Sequence, residues 1–222
     1  MRLLSKNGVC SRSKAKDLVA SGRVSVNGNI TKDPFQWVSL NAKIAVDGIK
    51  AVQQSKVLYS FYKPKGCVTT TSDEKNRKTV YDYLPEKLKH LKAIGRLDMA
   101  TTGLLLFTND NDFLNLMLDP NNKIEREYIV SVDGQITDTM IQVLSKGITD
   151  KDEILQCYKV EILKTSKSES HLKLILHEGK NREIRRMFLA LGFEVTKLKR
   201  VRYGRFELGD LKLGEIRKCS YD

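Results

Sequence analysis

Apolar residues recur along the chain at two periods, and the switches between them outline its elements. In residues 11–21, Ala15, Leu18 and Val19 fall at helical spacing, with Ser11 placed to cap the start and Gly22 to end it. Arg12 and Lys16 then share one face, four residues apart. Two alternating runs follow, Val24-Ser25-Val26 and Ile44-Ala45-Val46, trailed by Asn27-Gly28 and Asp47-Gly48, which signal tight turns. A basic helix with small hairpins inside residues 1–50 predicts a compact module with little core of its own.

Residues 51–56 read as a linker, and a second domain is expected from 57 to 222. It opens with Val57-Leu58-Tyr59-Ser60-Phe61-Tyr62, a Lys63-Pro64-Lys65-Gly66 turn and Cys67-Val68-Thr69-Thr70-Thr71. Their β-branched and aromatic content predicts two strands paired around that turn. Residues 72–79 form a polar loop. Further strands are expected near 91–97, 104–108, 124–132, 155–163, 171–177 and 194–201, and helices near 112–118, 137–146 and 183–191. This mostly hairpin-connected order points to an α+β domain around an antiparallel or mixed sheet flanked by helices.

Composition narrows the class. The 222 residues are 41% hydrophobic and 30% charged, which fits a folded protein with a proper core. The longest apolar run, Leu104-Leu105-Leu106-Phe107, is too short to span a bilayer. The first eight residues lack the apolar stretch of a secretory signal, so a cytoplasmic protein without a membrane partner is expected. The four cysteines lie at least 57 residues apart, and the three histidines (His90, His171, His177) have no metal-ligand spacing. No metal site and no disulfide framework is expected.

The charge is unevenly placed. The chain carries 39 Lys+Arg and 27 Asp+Glu, a net +12. Residues 1–50 hold nine basic and three acidic residues, as do residues 178–205, and the remainder is neutral. Two focused patches of +6 each favour a polyanion such as nucleic acid over a merely solvated surface.

Two sets of motifs carry a resemblance. Gly8-Val9-Cys10-Ser11-Arg12-Ser13 and Gly22-Arg23-Val24-Ser25-Val26-Asn27-Gly28 make residues 1–50 resemble the S-four-like RNA-binding domain, although about one helical turn fewer precedes Gly8 than is usual there. In the second domain, Gly95-Arg96-Leu97-Asp98 leads through Thr101 and Gly103-Leu104-Leu105-Leu106 to Thr108-Asn109-Asp110. That string resembles the signature of the RsuA/RluB-type ribosomal RNA pseudouridine synthases. Lys63-Pro64-Lys65-Gly66, Arg126-Glu127-Tyr128-Ile129-Val130 and Glu178-Gly179-Lys180-Asn181-Arg182-Glu183-Ile184-Arg185-Arg186-Met187 match in the same order, so the resemblance runs nearly end to end.

The resemblance implies isomerisation of one uridine of ribosomal RNA to pseudouridine, with no metal or organic cofactor and the protein a monomer. Asp98 alone, in a polar loop between apolar flanks, reads as a turn or cap residue; the family match makes it the catalytic carboxylate. Whether it attacks the anomeric carbon, adds to the ring or abstracts a sugar proton stays open. Arg185 matches the family arginine and is the cation expected beside Asp98 to keep it ionised. Its helix buries Ile184, Met187, Phe188 and Leu191 on one face and ends at Gly192. Tyr128, by itself a cross-strand aromatic, aligns with the family tyrosine that stacks on the target base. Arg96 is placed to fill the space of an extruded nucleotide, and Leu198 is a candidate for the pocket wall or the core.

The remaining expected RNA contacts are Arg12, Lys16, Arg23, Lys180, Arg182, Arg186, Lys199 and Arg200. The ribosomal partner is rRNA or an assembly intermediate. Asn181 to Arg186 with Lys199-Arg200-Val201-Arg202-Tyr203-Gly204 look closer to the large-subunit branch, although Glu183 stands where many relatives carry Gln. A small-subunit rRNA target, and a non-catalytic RNA-binding assembly factor, are the alternatives.

Overall fold

The computed structural model describes residues 1–6, 9–39, 41–51 and 55–221. Gly8 of the first motif and Val52, Gln53 and Gln54 of the expected linker lie outside the described residues. The chain divides into two compact units, residues 1–57 with 109–112, and residues 58–108 with 113–222. Among the described residues no helix is long and apolar enough to cross a membrane.

The first unit opens with helices α1 (Arg2–Lys6) and α2 (Arg12–Ala20). The Lys14 N–H donates to Ser11 Oγ at 3.2 Å, which caps α2, and Ala15, Leu18 and Val19 are its buried face. Four short strands, β1 (Val24–Val26), β2 (Asn29–Thr31), β3 (Ile44–Val46) and β4 (Ile49–Lys50), pair antiparallel in the order β2-β1-β3-β4. Both hairpins turn through Asn/Asp-Gly pairs with positive φ, at Asn27-Gly28 and Asp47-Gly48. Leu4, Ala15, Leu18, Val19, Val24 and Ile44 form the small core.

The second unit is an α+β domain built on a nine-stranded mixed sheet. Its strands are β5 (Leu58–Lys63), β6 (Lys92–Ile94), β7 (Thr102–Thr108), β8 (Arg126–Asp133), β11 (Lys159–Thr165), β12 (Glu169–Leu176), β13 (Val195–Tyr203), β14 (Phe206–Glu207) and β15 (Ile216–Cys219). The main path runs β11-β12-β8-β13-β7-β5-β15, and a separate hairpin pairs β9 (Ile148–Asp150) with β10 (Glu153–Leu155). Helices α3 (Asn111–Leu118), α4 (Asp138–Lys146) and α5 (Glu183–Ala190) complete it. The run Leu104-Leu105-Leu106-Phe107 is wholly buried because β7 is covered on both faces. Leu104 and Leu106 pack with Leu58, Ile94, Met117 and Tyr203. Phe107 meets Phe61 and Tyr81 edge-on, at centroid distances of 6.0 and 5.6 Å.

One expected pairing does not form. Residues 67–71 are no strand against β5, whose two edges are taken by β7 and β15. Instead this segment braces the loop ahead of β7. The Gly66 N–H donates to Met99 O at 2.8 Å, the Thr69 hydroxyl donates to Leu97 O at 2.9 Å, and the Leu97 N–H returns to Thr69 Oγ1 at 3.2 Å. The strand expected over 91–97 stops at Ile94 because Gly95, at φ +76°, turns the chain out of the sheet. Residues 153–155 belong to the small hairpin, so the strand expected from 155 starts at Lys159.

All ladders of the large sheet are antiparallel except β7 with β13, where Thr102 faces Lys199 and Gly103 faces Arg200. This joint needs a glycine. A Cβ on Gly103 would lie 2.2 Å from Arg200 O and 2.5 Å from Arg200 N, at a φ of +112°. Arg200 locks the same joint from the other side, its Nε donating to Leu104 O at 2.8 Å and its guanidinium lying 4.7 Å from the Tyr203 ring centre. Gly103→Ala should therefore lower the unfolding free energy by about 2–4 kcal/mol. Urea denaturation checks this; a variant as stable as wild type would show that the joint relaxes freely.

Candidate active site

A cavity of about 280 Å³ opens in the second unit. Its walls come from the loop ahead of β7 (Arg96, Leu97, Asp98, Thr101), from Tyr128 on β8, Leu176 at the end of β12 and Leu198 on β13. The segment from Glu178 to Arg185, which leads into α5, closes it. Asp98, Tyr128, Arg185, Arg96, Lys180, Arg182 and Leu198 are thus brought together from four stretches of chain.

Asp98 is half-buried on a turn closed by the Thr101 N–H donating to the Asp98 carbonyl at 3.0 Å. Its carboxylate has no hydrogen-bond or ion-pair partner among the described residues. Its charge nonetheless bears on two cations. Lys63, fully buried at the end of β5, donates from Nζ to Pro64 O at 3.0 Å and Thr101 O at 2.9 Å. Burial holds the Lys63 ammonium below the usual lysine range, and the charges of Cys67 and Asp98 oppose that shift. Arg185 donates to Val195 O at 2.9 Å and Ala100 O at 3.3 Å. Its guanidinium is lowered by burial and then by Arg182, while Asp98 and Glu194 pull the other way.

Arg185, expected from the sequence to pair with Asp98, is instead held by the carbonyls of Val195 and Ala100 and is not bonded to Asp98. A neutral acceptor fixes a cation in place without consuming its charge. Lys63 was not among the site residues expected from the sequence; its place at the head of the Lys63-Pro64-Lys65-Gly66 motif is the signal that could have found it. Nor was Thr101 among them, whose buried hydroxyl lines the cavity with no partner.

Tyr128 is 8% exposed, and its hydroxyl has no partner among the described residues. Arg96 and Arg182 line the cavity, are exposed, and have no ion-pair partner among the described residues. Lys180 is committed: Nζ donates to Glu178 Oε1 and Ile154 O, both at 2.6 Å, and its N–H to Glu183 Oε2 at 3.1 Å. Lys199 is half-buried on β13 and outside the cavity.

Two expected RNA contacts are corrected. Arg200 is 2% exposed, because it shares the inward face of β13 with Leu198 and serves the joint to β7. Arg186 is paired with Asp150 and, at 2.6 Å, with Glu153, so it ties α5 to the β9–β10 hairpin. In the first unit Arg12 and Lys16 are exposed on α2, whereas Arg23 forms a two-pronged pair with Asp47 at 2.8 and 2.5 Å. Among the described residues no group of three His, Cys, Asp or Glu side chains is placed to hold a metal ion.

Residues 57–190 match the RNA pseudouridylate synthase family, and residues 1–44 match the S4 domain. The chain belongs to the RNA pseudouridylate synthase family. It is 36% identical over 221 residues to the ribosomal large subunit pseudouridine synthase B of Bacillus subtilis, covering 99% of this chain and 91% of that protein. It is 37% identical over 216 residues to the protein of the same name from Yersinia pestis, covering 93% and 67%. A solved pseudouridylate synthase superposes with a TM-score of 0.71 at 27% identity, covering 99% of this chain and 94% of that one. The chain is thus an RNA pseudouridine synthase with an RNA-binding S4 domain and the fold of that family.

Within this synthase Glu183 is the one buried acid of the cavity wall. It is 4% exposed, and its Oε1 has no partner. Burial, then the charge of Glu178, pushes its carboxyl up to about 7, against the Lys180 N–H. Between about pH 4.5 and 7 the folded protein holds a proton that the unfolded chain has lost, so this group's contribution to stability falls as pH rises. Glu183→Gln removes that titration. Its stability relative to wild type, from urea melts, should rise between about pH 5 and about pH 8; a constant difference would contradict the assignment.

Proposed function

We propose that this enzyme converts one uridine of large-subunit ribosomal RNA to pseudouridine, with Asp98 as its catalytic carboxylate. The observation that carries this is the Asp98 carboxylate itself: unpartnered among the described residues, on the wall of the cavity, and near enough for its charge to bear on Lys63 and Arg185. A carboxylate with no partner in the protein is available for bond formation or proton abstraction, which a paired one is not. The relatives named for the large subunit, alike over nearly the whole of this chain, support the choice of RNA.

The isomerisation breaks the bond from N1 to the anomeric carbon and forms one from C5 to that carbon. C5 loses its proton and N1 ends with one. Asp98 takes the first role, at the sugar or the ring. The Tyr128 ring forms a face for the detached base, and its unpartnered hydroxyl lies ready for proton transfer. Leu198 and Leu176 shape the apolar wall. A stacked uridine hides its glycosidic bond, so the nucleotide is flipped out, with exposed Arg96 filling its former place and Arg182 meeting its phosphate. Arg12 and Lys16 hold RNA at the S4 domain.

Asp98→Asn should lower pseudouridine formation on 23S-type rRNA transcripts by about a thousandfold or more while rRNA binding persists. Persisting activity would remove Asp98 from the mechanism. Pseudouridine mapping in cells lacking the gene should show one site lost from 23S-type rRNA; a loss from 16S-type rRNA would overturn the target. Replacing Arg12 and Lys16 together by Ala should reduce the slope of log affinity against log salt by about 1.4, at about 0.7 per phosphate contact on a single strand. An unchanged slope would take α2 out of the interface.

A further inference from the structure

The chain has one tryptophan, Trp37, and it is 96% exposed. Tryptophan is among the costliest side chains to leave in water, since it has the largest apolar area to hide. Phe35, two residues earlier, is 69% exposed. Neither belongs to the core of the first unit.

The loop that carries them is tied down on both sides. The Asp33 N–H donates to Thr31 Oγ1 at 3.3 Å, the Phe35 N–H to Asp33 Oδ1 at 2.8 Å and the Gln36 N–H to Asp33 O at 3.3 Å. Met1 N donates to Pro34 O at 3.2 Å. Past Trp37, the Asn41 N–H donates to Ser39 Oγ at 3.3 Å and the Ala42 N–H to Ser39 O at 3.1 Å. Hydrogen bonds to a local Asx turn thus set the backbone while the rings project outward.

The other exposed apolar residues of the unit, Ile30 and Ile49, do not form one apolar face together. Ile30 lies opposite Ser25 and Ile49 opposite Val46, so they sit on opposite faces of the small sheet. Two exposed aromatics in a domain with nine basic and three acidic residues over 1–50 fit a nucleic-acid partner. Single-stranded nucleic acid is held by cations along its backbone and by aromatic rings on which its bases stack.

We propose that Phe35 and Trp37 form a stacking platform for unpaired bases of the RNA substrate. The S4 domain then grips RNA in two ways: cations of α2 on phosphate, and this loop on a base. The proposal rests on the reading of the first unit as an RNA-binding module and adds to it a contact that favours unpaired bases over duplex.

Trp37, as the sole tryptophan, reports its own contact. The whole protein is titrated with single-stranded oligoadenylate and, separately, with a base-paired RNA hairpin closed by a minimal loop, while tryptophan emission and affinity are followed. Free protein should show solvent-exposed emission, and the single strand should quench it. Trp37→Ala should weaken single-strand binding by about 5- to 100-fold, with Trp37→Phe between it and wild type and the salt slope unchanged. Hairpin affinity should be the same in all three proteins.

Single-strand binding with no quench and no loss in Trp37→Ala overturns the platform and leaves the RNA reading standing. Equal loss on hairpin and single strand overturns its preference for unpaired bases. Emission that shifts with protein concentration in the absence of RNA assigns the surface to a second copy of the chain instead. A wild-type protein that binds neither RNA defeats the RNA-binding reading and the platform together.

Discussion

The close approach of Gly103 to the Arg200 backbone is the constraint on which the second unit depends. It joins two antiparallel blocks, β11-β12-β8-β13 and β7-β5-β15, through the sheet's one parallel ladder. The loop carrying Asp98 enters β7 just before the joint. Tyr128 faces Arg200 across the β8–β13 ladder, and α5 with Arg185 precedes β13. Three stretches distant in sequence therefore converge where the two blocks meet. A side chain at 103 would push the blocks apart, and with them the groups of the cavity.

The joint is also where charge is buried. Lys63 and Arg200 are buried and Arg185 is half-buried, and each is held by backbone carbonyls rather than by acids. These carbonyls satisfy only some of the donors, since Arg185 Nε and Arg200 Nη2 are buried without a partner. Here the acceptors are Pro64, Thr101, Val195, Ala100 and Leu104, all neutral, so positive potential remains at the cavity. Asp98 lines this cavity without being bonded to any of these cations. Such an arrangement is in place before substrate arrives, and fixed charges of this kind need no rearrangement during reaction. Acids are used elsewhere: Asp150 and Glu153 neutralise Arg186, and Glu178 meets Lys180.

Much of this was legible in the residues, and the exceptions have physical causes. Apolar spacing found α2, α3, α4 and α5, and the apolar residues within 104–108 marked a strand, which the structure shows covered on both faces. Asp98, Tyr128 and Arg185 emerged through ordered motifs rather than through local chemistry, since a loop aspartate or a strand tyrosine has many uses. Neighbouring cations looked alike in sequence and proved different in place. Alternation along β13 puts Arg200 on the face of Leu198, so period-2 reading separates it from Lys199. No local signal marks Arg186, because its acidic partners lie more than 30 residues away. The hairpin expected at 63–66 failed for a similar reason, as β5 finds both partners far along the chain and residues 67–71 turn to brace the Asp98 loop.

The claim that the β7–β13 joint assembles the active site is tested most directly by the single-turnover rate of pseudouridine formation in Arg200→Lys at saturating rRNA. This substitution keeps the charge but loses the planar Nε donor that reaches Leu104 O. The account predicts a slower turnover with rRNA affinity and its salt dependence unchanged, because Arg200 is 2% exposed and its Nε is bonded inward to Leu104 O. An unchanged turnover would contradict it, most plainly if affinity fell instead.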